Sequence, residues 1–470
     1  MWLLIALSSL GAVLAPLNST MVAVALPEIR REFALSHATV GWLVSGYLIA
    51  MAVAQPIGGR LGDQLGRARV YRAGLIAFLV FSVATSFSPN FATLVVLRIA
   101  QAVAGAVLMP NGMALLRAHA PEGQLGRLNG INGSVLSFAA AAGPLVGAAT
   151  LAVGSWRWLF PLSVPFILAA LALLRRFDEG AGAPPTRARI DWLGTALFVA
   201  LLVAVTLNLQ AFGEGAQPAL LLFGVVATAV IAGAFVVRQR SSSSPAAEWP
   251  LFRQRSFSAA TAYILLTNLA MYTTLLMVPF FIRDVQGRGT ALAGLLLGAM
   301  SVLVAATAPF GGRVSDTAGR RPAALAGAVL LLAGAIGLLA GMRADIAAGY
   351  VAGCLALMGL GLGLGVGAAN TAAVESAPPS FAGSAAGTSS MMRYAGSILG
   401  AGILAGVLRD GAGAGDIGTF RLVAGAVVLT AALSVAAATM IHRFAAPVIV
   451  AVDDARPDRQ PPLVPVSGAR

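Results

Sequence analysis

Two arginines stand inside apolar runs long enough to cross a bilayer. Arg98 lies in Leu97-Arg98-Ile99-Ala100-Gln101-Ala102, and Arg393 in Met391-Met392-Arg393-Tyr394-Ala395-Gly396. A guanidinium at the middle of a membrane helix costs ~2.5–3.5 kcal/mol even on the mildest insertion scale, so each must face protein or water. Asn18, Tyr47, Asn268, Tyr272 and Asn370 are further polar groups isolated in apolar runs, and Asn268 and Tyr272 share a face at i, i+4 spacing. Such groups can recognise the charged or polar parts of a solute in a wet cavity. The plainer alternative is packing: Asn and Ser bond across membrane helices, and backbone carbonyls can satisfy an Arg. Both readings stay open at this point.

Enzyme chemistry fits less well. None of the 18 acids sits in the middle of an apolar run, and His37, His119 and His442 all lie at run ends or in connections. The chain holds no zinc-protease H-E-x-x-H, no phosphate loop and no G-x-S-x-G elbow. Cys354 is the single cysteine, so no intrachain disulfide or multi-cysteine metal site can form. No catalytic residue, metal or cofactor is expected.

The elements that carry these groups are membrane helices. The 470 residues are 58% hydrophobic and only 10% charged, against roughly 25% charged in soluble domains. A spanning helix needs ~20 apolar residues. The runs at 2–26, 39–59, 71–88, 91–116, 129–152, 158–174, 192–210, 217–237, 257–282, 290–311, 323–342, 346–370, 384–408 and 421–441 predict fourteen spans in an all-α polytopic membrane protein. The formal net charge of +13 does not point to nucleic acid, because the arginines sit in short connections. Most of them lie in the even-numbered connections and the tail, which makes that face, and both termini, cytoplasmic.

Two polar connections on that face repeat one pattern. Gly59-Arg60-Leu61-Gly62-Asp63-Gln64-Leu65-Gly66-Arg67 and Gly312-Arg313-Val314-Ser315-Asp316-Thr317-Ala318-Gly319-Arg320 both fit G-x-x-x-D-x-x-G-R. Glycines let two helix ends turn tightly, and the Asp can cap a helix or pair with an Arg. The double motif resembles the loop between helices 2 and 3, and its repeat between 8 and 9, in the major facilitator superfamily of secondary transporters. Further strings resemble the fourteen-helix drug/proton antiporter branch. Leu17-Asn18-Ser19-Thr20 resembles its helix-1 signature, with Asn18 where Asp is usual. Arg98-Ile99-Ala100-Gln101-Ala102 resembles R-x-x-Q-G, with Ala102 for Gly. Ala139-Ala140-Ala141-Ala142-Gly143-Pro144-Leu145-Val146-Gly147-Ala148 is similar to the antiporter motif G-x-x-x-G-P-x-x-G-G, which the family associates with export, with Ala139 and Ala148 for the first and last Gly. Trp156-Arg157-Trp158-Leu159-Phe160-Pro161-Leu162-Ser163-Val164-Pro165 resembles W-R-W-x-F-x-x-N-x-P, with Ser163 for Asn.

The resemblance implies a major-facilitator fold with two six-helix halves, 1–175 and 257–444. Between them, 176–256 holds two extra helices with cytoplasmic linkers, and 445–470 is a disordered tail. It also implies a plasma-membrane exporter of drug-efflux type. In it Gly59, Asp63, Gly66, Arg67, Gly312, Asp316, Gly319 and Arg320 gate. Asn18, Tyr47, Arg98, Gln101, Asn268, Tyr272, Asn370 and Arg393 line the cavity, and Gly143, Pro144 and Gly147 bend a helix. Asp63 is expected to couple to span thirteen. The expected partners are a small-molecule substrate, the bilayer and, as candidate coupling ion, the proton, with a monomeric protein and no nucleic acid. A facilitator, a non-drug metabolite exporter and a non-transporting sensor on the same fold are the alternatives. Asn18 cannot carry a proton, so direct coupling through helix 1 is expected to be weak or displaced to a rim acid, Asp63, Asp316 or Glu375.

Overall fold

The computed structural model describes residues 2–118, 135, 139, 142–175, 191–213, 215–242, 249–378, 381–407 and 416–443. They form helices throughout. α1 is Trp2–Glu32 and α2 is His37–Leu65. α3 is Arg67–Ser86, and α4, Phe91–Ala106, continues into α5, Leu108–Ala118. α6 is the short helix Ala142–Val153. The 3₁₀ turns Trp156–Leu159 and Pro161–Ser163 lead into α7, Val164–Leu174. α8 is Trp192–Gly213 and α9 is Pro218–Ser241. α10, Arg255–Phe280, ends in a π turn at Phe281–Val285. The chain closes with α11 Thr290–Thr317, α12 Arg320–Gly341, α13 Ala348–Glu375, α14 Ala382–Val407 and α15 Ile417–Thr439.

Twelve helical stretches among the described residues are long and apolar enough to cross a membrane, so the expected count of fourteen spans is not supported in full. The run expected at 129–152 falls mostly outside the described residues, which resume as the short α6. The run expected at 384–408 does form α14, but Thr388, Ser389, Ser390, Arg393 and Ser397 make it too polar to count as a lipid-facing span. That polarity is turned into the protein: Thr388, Ser389 and Ser397 are buried. The expected linkers at 176–190 and 243–248, and the tail beyond 443, lie outside the described residues.

Local signals explain where helices begin and end. The Ser36 hydroxyl accepts the Thr39 N–H at 2.9 Å to start α2, and the Asn90 side chain accepts the Thr93 N–H at 2.9 Å to start α4. Gly66 and Gly319 take φ of +97° and +107°, the left-handed region open to glycine, and each separates two helices at a motif turn.

α1 to α5 and α7 pack on one another as a first bundle, and α10 to α15 as a second. The main apolar cluster bridges them, from Met21–Leu26 and Ile29 of α1 through Leu43 of α2 to Leu275–Val278 of α10 and Leu297 of α11. α8 lies on both bundles. Trp42 of α2 donates to Gln210 Oε1 at 2.9 Å, while Gly402 and Gly406 of α14 abut Leu209. α9 packs on α8, where Asn208 donates to Thr228 at 2.7 Å, and its spanning stretch is otherwise uncovered by protein. At the end of this pair Asp191 accepts from Arg238 Nε at 3.0 Å and from the Gly194 N–H at 3.0 Å. Burial pushes the Asp191 carboxyl up, but these donors and Ser242 outweigh it and hold the group below its ordinary range.

Candidate functional site

The polar groups expected to line a cavity meet where the two bundles face each other. Arg98 is 1% exposed. Its Nη1 donates to Asn18 Oδ1 at 3.2 Å and to Gln101 Oε1, and its Nη2 donates to the Asn18 carbonyl at 2.9 Å. The guanidinium lies 4.0 Å over the Tyr47 ring, and the Tyr47 hydroxyl donates to the Ala15 carbonyl at 3.2 Å. Gln101 passes the network on, donating to Ser82 Oγ at 2.7 Å, which in turn lies 3.1 Å from Ser163 Oγ. Asn18, Tyr47, Arg98 and Gln101 therefore form one cluster on α1, α2 and α4. The departure from the usual Asp at position 18 has a direct structural consequence: the acceptor facing Arg98 is a neutral amide oxygen.

The second bundle contributes a matching group. Arg393 Nη2 donates to Asn370 Oδ1 at 3.0 Å, and Asn370 Nδ2 donates to the Val366 carbonyl at 2.8 Å. Tyr272 reaches across the bundles, its hydroxyl 3.0 Å from Ser19 Oγ. Tyr394 packs against the Tyr47, Met51 and Ala102 cluster of the first bundle. Asn268 is buried beside them, but its amide donates to the Ile264 carbonyl of its own helix at 2.8 Å and makes no described link to the arginines.

α6 is wedged between the bundles. A Cβ on Gly143 would strike Thr20 and the Met21 N, and one on Gly147 would meet the Met21 carbonyl at 2.8 Å, so glycine lets α6 lie against α1. On its other side Gly294 of α11 leaves room for Ala148 and the Pro144 carbonyl, and Gly298 for Leu145. This is a small-residue seam of the kind that lets backbones approach in membranes.

A latch invisible to the sequence reading closes one end of the interface. Arg30 of α1 donates from Nη2 to Asp284 Oδ1 and Oδ2 at 3.0 and 3.1 Å, and His37 Nε2 lies 3.1 Å from the same carboxylate. Thr290 donates to Glu28 at 2.5 Å beside it. Charges at span ends look like ordinary topology signals, and only the π turn carrying Asp284 places it against α1.

The two repeated turns lie at the opposite ends of α2 and α11 from this latch. Arg67 pairs with Asp63 four residues before it, and Arg320 with Asp316 in the same way. Arg320 also forks onto Glu375 at the end of α13, with Nε to Oε2 at 3.0 Å and Nη2 to Oε1 at 2.6 Å. Gly59 lies near Pro110, while nothing approaches Gly312. Asn111, which the sequence reading missed, donates to the Gly58 carbonyl at 2.9 Å and fills the space left by Gly62. Asp63 is held within its own turn, and the side chains at the start of α14, its expected partner, fall outside the described residues.

A family model described as Major Facilitator Superfamily matches residues 8–401. The chain is 33% identical over 440 residues to the uncharacterized MFS-type transporter YwoD of Bacillus subtilis (strain 168), covering 91% of this chain and 95% of that protein. It is 30% identical over 404 residues to the tetracenomycin C resistance and export protein of Streptomyces glaucescens, covering 85% of this chain and 74% of that one. It is 31% identical over 406 residues to the multidrug resistance protein Stp of Mycobacterium tuberculosis (strain ATCC 25618 / H37Rv), with the same two shares, 85% and 74%. The crystal structure of a D-xylose–proton symporter superposes with a TM-score of 0.67 at 13% identity, covering 94% of this chain and 98% of that one. At that identity the likeness concerns the fold alone.

Proposed function

From the premise that the chain belongs to the major facilitator superfamily and is a membrane-embedded transporter of small molecules, we propose that it is an exporter of drug-efflux type. Alternating access moves the halves 1–175 and 257–444 about the centre that holds Arg98 and Arg393. The observation that carries this reading is the α6 seam. Gly143, Pro144 and Gly147 sit between α1 and α11, where their resemblance to the antiporter motif gives them a mechanical place: a close contact of small residues on which the halves can part and re-form. The relatives named for resistance and export support the same direction, as do the helix-1 and span-six strings shared with the drug/proton antiporter branch. The protein then resides in the bacterial cell membrane, with both termini and the two motif turns in the cytoplasm. The latch at Arg30, His37 and Asp284 closes its outer end.

Direct proton coupling through helix 1 is weak in this reading, because Asn18 and Arg98 offer no group that exchanges a proton near neutral pH. Expression in an efflux-deficient bacterial host, with tolerance profiling across a compound panel, tests the export reading. Wild type should raise tolerance to at least one compound and pump it into inverted vesicles, and Arg98→Ala should abolish both. Tolerance and vesicle uptake equal to the empty host across the panel would sink it.

A further inference from the structure

Among the described residues, no anion neutralises the two cations at the centre of the interface. Among the described residues, Arg30, Arg67, Arg157, Arg238 and Arg320 each pair with a carboxylate. Arg98 and Arg393 bond only to neutral oxygens, those of Asn18, Gln101 and Asn370. The buried atoms left without a partner there are all donors: Asn18 Nδ2, Arg98 Nε and Arg393 Nε. Unmatched donors beside unpaired positive charge are costly in a dry interior. One arginine comes from each bundle, and the groups between them are the rings and hydroxyls of Tyr47, Tyr272 and Tyr394. Buried hydroxyls can donate to an anion, while the rings accept an apolar body.

We propose that the centre binds an organic anion, one carboxylate or sulfonate on an apolar or aromatic body. The partly open Arg393 is its contact, and the buried Arg98 is a fixed positive charge behind Tyr47. The proposal rests on the transport reading and names its substrate class. It also assigns the driving force. In a cell negative inside, a monovalent anion leaves downhill in potential, and 100 mV sustains an outward gradient of about fiftyfold with no proton exchanged. A site holding Asn where an antiporter holds Asp is consistent with that economy.

The test uses purified full-length protein in dilute phosphate buffer free of chloride and organic anions, and three probes on one ring system: 2-naphthoate, the neutral 2-naphthamide and the cationic 2-naphthylmethylammonium. Calorimetric titration should give 2-naphthoate a Kd at least about tenfold below that of the amide, the size expected of one charge-assisted pair. Arg393→Gln should erase the preference and Arg393→Lys should keep most of it. Where Arg393→Gln does not fold, Asn18→Asp serves instead, since its built-in carboxylate neutralises Arg98 and must also weaken the anion. Chloride titrated in as a separate arm, and displacing 2-naphthoate, would mean that the site takes inorganic anions too, and supports the proposal. Equal or tighter binding of the amide or the ammonium, no binding by any of the three, or a preference that survives Arg393→Gln would overturn it. Vesicle export of a cationic or neutral compound alongside any of these results would leave the exporter reading standing, so the two fail separately.

Discussion

Asn18→Asp is the most informative single change, because it restores a carboxylate at the one place where the guanidinium of Arg98 already points. The Asn18 Oδ1 lies 3.2 Å from Arg98 Nη1. A full charge there attracts the guanidinium by roughly 5 kcal/mol at an effective dielectric near 20. Burying a carboxylate costs several kcal/mol of that. The substitution also removes an amide donor, Nδ2, that has no partner, which returns about 1–3 kcal/mol. The balance is a stabilisation of about 2 kcal/mol, against a mean substitution that destabilises by about 1. Intrinsic-fluorescence unfolding of the purified protein should therefore give a higher midpoint for Asn18→Asp than for wild type, and Asn18→Leu a lower one. Transport in proteoliposomes, with the potential clamped and the pH varied, should gain a pH dependence that wild type lacks. A midpoint at or below wild type, or an unchanged pH profile in folded protein, would refute the argument that Arg98 is an unneutralised charge facing position 18.

Other perturbations follow from the same geometry. Asp284→Asn leaves Arg30 and His37 without their shared carboxylate, so a thiol placed in the α1–α2 turn should react faster with an impermeant reagent from outside; an unchanged rate would deny the latch a role in closure. Gly66→Ala and Gly319→Ala force a side chain into left-handed backbone at about 1–2 kcal/mol each, and Gly319→Ala should cost more on thermal unfolding because its Cβ would lie 2.5 Å from the Arg443 carbonyl. Cysteines introduced at Ser36 and at the exposed Thr317 should label from opposite sides of the membrane, with the buried native Cys354 silent; labelling of both from outside intact cells would refute the topology. Asp191 titrates below its ordinary value when folded, so its contribution is present above the unfolded pKa and lost as pH falls through the folded one. Asp191→Asn should accordingly lower the thermal midpoint at neutral pH and match wild type only in strong acid.

The helices and their order were legible because apolar length and arginine placement are one-dimensional signals. Arg98, Gln101, Tyr47 and Asn18 were legible as groups turned toward protein for a similar reason: a polar group in an apolar run has few inexpensive places to go. The span count is supported only in part: α14 carries Arg393 and four serines, a polarity that a helix turned toward protein accommodates better than one facing lipid. Asn268 shows that such a group can also satisfy itself on the preceding turn of its own helix. The latch was not readable, because Arg30 and Asp284 are far apart in the chain, and span-end charges occur in every membrane protein. Asn111 was missed for want of a periodic signal: its value lies in the hole that Gly62 leaves on another helix.

The position of α8 has a mechanical consequence. Its two attachments differ in kind: toward α2 it is tied by directed bonds, from Trp42 to Gln210 and from Gln210 Nε2 to the Ala38 carbonyl at 3.2 Å. Toward α14 it rests on Gly402 and Gly406, which present bare backbone to Leu209. Held by hydrogen bonds on one side and resting on bare glycines on the other, α8 would travel with the first bundle in the alternating access proposed above, and α9 with it. Any relative motion of the bundles is then taken up as slip along the glycine track of α14. Bulk added at Gly402 or Gly406 would act as a brake on the motion while leaving every polar contact of the central site in place.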